Sequence, residues 1–373
     1  MSMTFIATCK LGLESTVAFE LKKLGMQNVS ARDANVSFEG DFGDMAKVLL
    51  YLRTAERLLL KIGSFEAKSF EALFEGVKAL DFTPYLSRNS RIHVNGKSAK
   101  STLFSVSDCQ SIAKKAIVEN LKAAYHTELI PETGAEVIVE IGLLRDEVTV
   151  ALDCCGAGLS RRGYRTYNVA APLAETLGAA LVLLSRYWPD TPLIDPMCGS
   201  GTIPIEAAMI GNNIAPSLNR RFAAEDWPFM EDRLFLLARQ EARDCARHDK
   251  LPIRGYDMDE RSVALSRIHA KKAGVEVPFE VRRVQELRTE YEKGVLLCNP
   301  PYGERMLTRG ETETLYADMR RVFDKLTRWQ IGIISGMEDF EKVYGKRADK
   351  RRKLSNGGMK CTFYQFFPER KEK

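Results

Sequence analysis

The stretch from 193 to 208, LIDPMCGSGTIPIEAA, most narrows what this chain can become. A short apolar strand stops at Asp195, a loop carries Gly199 and Gly201, and a helix opens at Thr202 with Pro204 in its first turn. Proline is tolerated there because first-turn N–H groups have no intrahelical acceptor to lose. A strand that passes through a glycine bend into a helix is half of a βαβ unit, and the chain goes on alternating. Apolar runs at IRGYD (253–257), FEVRRV (279–284), GVLLCNPP (294–301) and QIGIISG (330–336) are separated by helix-length segments. This predicts an α/β domain built on a doubly wound, Rossmann-like parallel sheet with helices on both faces. The last run, KRRKLSNGGMKCTFYQFF, reads as an antiparallel hairpin around Asn356-Gly357-Gly358.

The first 155 residues follow another pattern. Strand, helix, two short strands, helix and strand succeed one another between residues 4 and 65, the ferredoxin-like order. A second α+β unit adds a helix from Ser69 to about Leu80, a strand at 90–97, a helix from Asp108 to Tyr125 capped by Ser107 or Asp108, and two alternating strands joined by Arg145-Asp146. The connector GAGLSRRGYRTYN (156–168) has glycines, arginines and tyrosines but no steady period. The expected organisation is therefore 1–66, 67–155, a linker at 156–170 and a catalytic domain at 171–373.

Composition excludes several classes. Hydrophobic content of 45% and charged content of 28% fit a globular chain rather than a disordered one. Apolar runs are too short for a membrane span and no targeting segment is visible, so a cytoplasmic protein is expected. The eight cysteines form no C-x-x-C pair and the four histidines are scattered, so neither a zinc site nor any other metal is expected. The net charge of +5 is uneven: residues 1–160 hold 18 Lys and Arg against 20 Asp and Glu, and residues 161–373 hold 37 against 30. A mild basic excess suits a polyanionic partner without proving one.

The glycine loop calls for a ligand with an anionic or polar group at the helix amino terminus. A dinucleotide fingerprint needs a third glycine and an acid about 20 residues on. Here Pro204 occupies the third position and Asp257, the next acid at a strand end, lies 56 residues beyond Gly201. The lysine of a triphosphate-binding loop is missing too. A short G-S-G bend, with Asp257 placed to accept both ribose hydroxyls, suits S-adenosylmethionine.

The run Asn299-Pro300-Pro301-Tyr302 ends the predicted fourth strand. Two prolines fix the backbone and remove two donors. The Asn299 amide and the Pro300 carbonyl are then rigid acceptors for the two N–H groups of an exocyclic nucleobase amine, turning its lone pair toward a methyl donor. Tyr302 can stack on the base. Cys298 raises the alternative of a thiolate nucleophile, but the last place of an apolar strand favours core packing.

Together, DPMCGSGT and CNPPYGER resemble the RlmL-like family of THUMP-containing RNA guanine-N2 methyltransferases. KSAKSTLFSVSDCQSIAKKAIV (97–118) is similar to the family's THUMP segment, and GAGLSRRGYR with APLAETL (156–177) to its link into the catalytic domain. The likeness covers nearly the whole chain. It implies methylation of a guanosine N2 amine in 23S ribosomal RNA, with transfer RNA or a non-catalytic role in ribosome assembly as alternatives. It also implies that Asp195, Pro196, Cys198, Gly199, Ser200, Gly201 and Thr202 surround the methionine moiety, that Asp257 and Asn299 complete the cofactor site, and that Met258 packs on adenine. Arg283-Val284 stands where related enzymes often carry Asp-Ala, leaving a backbone contact from Val284. Lys97, Lys100, Lys114 and Lys115, with Arg161, Arg162 and Arg165, are the candidates for RNA phosphates, and the basic run 346–353 is a further one.

Overall fold

The structure, a computed structural model, describes residues 2–165, 173–301 and 308–368. Strand β1 (Met3–Cys9), helix α1 (Glu14–Lys23), β2 (Gln27–Arg32), β3 (Asn35–Gly40), α2 (Phe42–Tyr51) and β4 (Ala55–Glu66) follow the ferredoxin-like order. Next come α3 (Phe70–Lys78), β5 (Arg91–Ala99), α4 (Val106–Ala124), β6 (Glu136–Leu144) and β7 (Glu147–Asp153). Helix α4 starts earlier than expected. Its flanking residue is Ser105, whose hydroxyl donates to the Asp108 carboxylate at 2.5 Å. Arg145 and Asp146 both take positive φ (54° and 66°), the mirror-image turn whose twist matches paired strands.

These two units share one sheet, in the order β2-β3-β1-β4-β7-β6-β5. Twelve-residue β4 makes this possible: it pairs with β1 from Phe5↔Leu60 to Thr8↔Arg57 and with β7 from Leu59↔Asp153 to Glu66↔Glu147. The sheet therefore has no seam at residue 66.

The second half comprises α5 (Glu175–Leu184), β8 (Leu193–Asp195), α6 (Thr202–Gly211), α7 (Asp232–Asp244), β9 (Ile253–Asp257), α8 (Glu260–Ala273), β10 (Phe279–Val281), β11 (Gly294–Cys298), α9 (Arg309–Phe323), β12 (Trp329–Ser335), α10 (Phe340–Tyr344), β13 (Lys350–Asn356) and β14 (Met359–Phe366). Its sheet runs β10-β9-β8-β11-β12-β14-β13. Strands β8 to β12 pair in parallel, whereas β14 lies antiparallel to both β12 and β13. Every residue of GVLLC in β11 is buried, as a strand covered on both faces requires. The chain reverses direction across the sheet between β8 and β11, which opens a crevice at their carboxyl ends.

The halves dock on one another. The Arg53 guanidinium donates to the Ile214 carbonyl at 2.8 Å, and Arg352 in β13 donates to the Gly12 carbonyl at 2.6 Å. One buried apolar cluster includes Phe5 and Val17 as well as Leu177 and Phe363. Among the described residues, no helix is long and apolar enough to cross a membrane.

Candidate active site

A cavity of about 1560 Å³ opens at the crevice between β8 and β11. Asp195, Pro196, Cys198, Gly199, Ser200, Thr202, Asp257, Met258, Val284, Asn299, Pro300 and Pro301 all line it, bringing together residues more than a hundred positions apart. Gly201 stands one layer back. It begins α6 at φ +83°, and a Cβ there would press on Ser266 and Phe279 at 3.0 Å, so its role is to let the loop turn against α8. Gly199 is different: φ is +52° and a Cβ would meet open space, leaving the backbone bare toward the cavity.

The loop is sewn to its neighbours. The Cys198 N–H donates to the Tyr256 carbonyl at 2.8 Å and the Gly199 N–H to Asp257 Oδ2 at 2.8 Å. From α8, the Ser266 hydroxyl donates to the Gly199 carbonyl at 2.7 Å, and His269 Nδ1 meets the Ser200 carbonyl at 3.0 Å. That carbonyl can only accept, so Nδ1 carries the proton, and burial holds the ring below its ordinary pKa and therefore neutral. Asp257 Oδ1 accepts from the Asp259 N–H at 2.9 Å. Burial pushes the Asp257 carboxyl up from its ordinary value, against the pull of those N–H donors. Asp195 is pushed up further, first by burial and then by the nearby Asp257 charge. Met258 is 64% exposed, an apolar face left bare beside Asp257.

Asn299 follows the last residue of β11. Its Oδ1 is buried and has no hydrogen-bond partner among the described residues, a costly arrangement unless a ligand completes it. Cys298 is fully buried and its thiol pKa is raised well above the ordinary value by that burial, which removes it as a thiolate nucleophile. Tyr302 lies outside the described residues.

Two candidate RNA contacts are corrected. Arg162 is buried, its side chain only 1% exposed; it donates to the Leu159 carbonyl at 2.7 Å and to the Arg53 carbonyl, and pairs with Glu206 of α6 at 3.4 Å. Arg165, 12% exposed, donates to the Leu173 carbonyl at 2.8 Å and to Thr202 Oγ1 at 2.7 Å, and lies 3.5 Å from Glu175. Arg162 is spent on the joint between the halves and Arg165 on the start of the catalytic half, so neither is free for a phosphate as it stands. Lys97, Lys100, Lys115 and Arg161 are exposed, and Lys114 is half-buried and paired with Glu132 at 3.0 Å. The basic run 346–353 leads into β13 rather than forming a loop; Arg351 is tied to Glu341 at 2.8 Å.

Sequence reasoning missed the far wall of the cavity. Gln285 of the short turn after β10, Asp318 of α9, Met337 just past β12, and Met359 and Lys360 at the β13–β14 hairpin line it. None of them forms a local motif; only Met359 and Lys360, just past the Gly357-Gly358 tip, carried a positional hint.

The site fits an adenosyl cofactor on its own evidence: a bare Gly199 backbone, a fixed acid at Asp257, an exposed apolar Met258 and enough room. Comparisons agree. Residues 162–365 match the RMKL-like methyltransferase domain, residues 4–59 the RlmL ferredoxin-like domain and residues 67–153 the THUMP domain. The chain is 44% identical to a putative RNA methyltransferase of Bacillus subtilis, covering 99% of this chain and 98% of that one. It is 33% identical to the ribosomal RNA large subunit methyltransferase K/L of Photobacterium profundum, over 96% of this chain but 52% of that protein, so it spans about half the length of such relatives. Among solved structures, a putative methyltransferase, SMU.472, complexed with SAH superposes with a TM-score of 0.93 at 42% identity, covering 100% of this chain and 99% of that one. TrmN from Thermus thermophilus shares the fold, with a TM-score of 0.71 at 19% identity, over 98% of this chain and all of that one. The chain belongs to the RMKL-like methyltransferase family, a ferredoxin-like and a THUMP domain preceding a catalytic domain that uses S-adenosylmethionine.

Proposed function

We propose that this enzyme methylates the exocyclic N2 amine of a guanosine in 23S ribosomal RNA, acting in the cytoplasm. The observation that carries the reading is the buried Oδ1 of Asn299, which has no hydrogen-bond partner among the described residues, in the cavity that also contains Gly199 and Asp257. S-adenosylmethionine supplies an electrophilic methyl group when bound. The chain's own residues present the amine. A ring-conjugated amine is a poor nucleophile because its lone pair is delocalised. Asn299 Oδ1 and the Pro300 carbonyl, accepting one N–H each, favour a pyramidal nitrogen whose lone pair is free to attack. Pro300 and Pro301 contribute no N–H that could compete for those acceptors, and they hold the backbone still. As the new bond forms the nitrogen gains positive charge, which the two oxygens stabilise electrostatically. No strong base is needed, because that charge makes the amine proton acidic.

RNA as the substrate is supported by the match to a THUMP domain and by the names of the relatives. In this reading the unit at 67–155, which follows the ferredoxin-like unit at 1–66, holds the RNA through Lys97, Lys100, Lys114 and Lys115, and Arg161 of the linker adds a contact nearer the catalytic domain at 171–373. Incubating the protein with labelled cofactor and unmodified ribosomal RNA, transfer RNA or DNA, followed by nucleoside analysis, tests this directly. Label in N2-methylguanosine from ribosomal RNA is expected. Label confined to transfer RNA, or found in methyladenine, overturns it.

A further inference from the structure

One wall of the cofactor cavity holds a polar pair whose geometry fixes an acceptor. Gln285, in the short 3-10 turn Val284–Glu286, donates from Nε2 to Asp318 Oδ2 of α9 at 2.8 Å. The other Asp318 oxygen accepts from Arg321 at 2.8 Å. An ionised carboxylate can only accept, so the amide must turn its nitrogen toward Asp318 and its oxygen away. Gln285 Oε1 then has no partner among the described residues, and both Gln285 and Asp318 line the cavity.

The sheet order says which part of the ligand comes here. Strands run β10-β9-β8-β11, with Asn299 after β11, the glycine loop after β8 and Asp257 at the end of β9. A ligand that presents its methyl group near Asn299 and its ribose to Asp257 must continue toward β10. The chain after β10 is Arg282, Arg283, Val284 and Gln285, all of which line the cavity. An adenine amino group arriving there needs an acceptor. The two arginine side chains can only donate.

We propose that Gln285 Oε1 accepts the adenine amino group and that Asp318 is the positioning residue that holds the amide in this orientation. Recognition of the base is then shared by two elements 33 positions apart, the turn after β10 and helix α9. This rests on the cofactor and not on the identity of the RNA, so it stands or falls separately from the proposed substrate.

Calorimetric titration of the full chain with S-adenosylhomocysteine and with its purine analogue, in which hydrogen replaces the amino group, tests it. Gln285 is exposed, so the gain is that of one net hydrogen bond, and the wild type should prefer the adenine ligand by up to about tenfold. Gln285→Met keeps the length and removes the acceptor. It should weaken adenine binding by about the same factor, leave purine binding nearly unchanged and so abolish the preference. Asp318→Asn offers the amide an alternative partner for its oxygen and should reduce the preference although Gln285 is intact. A wild type without preference, or a Gln285→Met that weakens both ligands equally or neither, overturns the proposal. A preference unaffected by Asp318→Asn overturns the positioning role.

Discussion

The carboxylate of Asp257 accepts the N–H of Gly199 at 2.8 Å, across two strands and 58 positions of sequence. Its other oxygen accepts from Asp259 at 2.9 Å. The acid proposed for the ribose and the glycine that lies bare toward the cavity therefore hold each other in place, and each carboxylate oxygen keeps a lone pair. Preorganisation of this kind lowers the ordering cost of binding.

Asp257→Ala should therefore damage binding twice, by removing the hydroxyl acceptors and by releasing the Gly199 N–H. Hydrogen bonds to a charged group contribute about 1.5–3 kcal/mol each, so cofactor affinity should fall by about a hundredfold or more. Titration calorimetry checks this. An affinity within about twofold of wild type would be inconsistent with the observed bonding.

Asp195 makes a prediction in pH. Burial holds its carboxyl pKa well above the ordinary value, with the Asp257 charge adding to the effect. A raised carboxyl binds its proton more readily folded than unfolded. Its stabilising contribution is present below the unfolded pKa of about 3.9 and is lost as pH rises through the folded value. Asp195→Asn is neutral throughout and can still accept the Met197 N–H. Its thermal stability relative to wild type should therefore increase between pH 5 and pH 8, the range about which melting curves are to be compared. A difference that stays flat or shrinks would contradict the burial argument.

The joint between the halves gives a third test. Arg162 and Glu206 are 1% and 0% exposed in their side chains. Arg162→Ala would leave the buried Glu206 carboxylate without its ion-pair partner, held by the Tyr164 hydroxyl at 3.2 Å, and should cost about 3–5 kcal/mol of stability, read as a large drop in melting temperature. At temperatures where the variant is folded, the salt dependence of its RNA binding should equal that of wild type. Lys97→Ala and Lys100→Ala should do the opposite, leaving stability unchanged and lowering the slope of log affinity against log salt by about 0.7 to 0.9 per cation. Filter binding across a salt series separates the two patterns.

These arginines mark where sequence reading stops. The parallel sheet, the glycine loop and the Asn-Pro-Pro strand exit were legible because each depends on residues adjacent in sequence, so period and turn chemistry expose them. Arg161, Arg162 and Arg165 sit in a connector with no period, where nothing local says which guanidinium turns inward. The partners that decide it, the Arg53 carbonyl, Glu206 and Thr202, come from α6 and the far half of the chain. That the two amino-terminal units share one sheet was hidden for a similar reason. That β4 is long enough to pair with both β1 and β7 depends on register, which no single strand encodes. The Gln285–Asp318 pair is equally invisible until α9 is placed beside the turn.

Asn299 provides the most direct measurement. Single-turnover methyl transfer to unmodified ribosomal RNA, with cofactor and RNA both saturating, should be about a hundred to a thousand times slower in Asn299→Ala than in wild type. Cofactor affinity, titrated on the same preparations, should fall by a much smaller factor than the rate. Transfer by the variant at the wild-type rate would show that the buried amide oxygen does not present the amine, and would contradict the account at its centre.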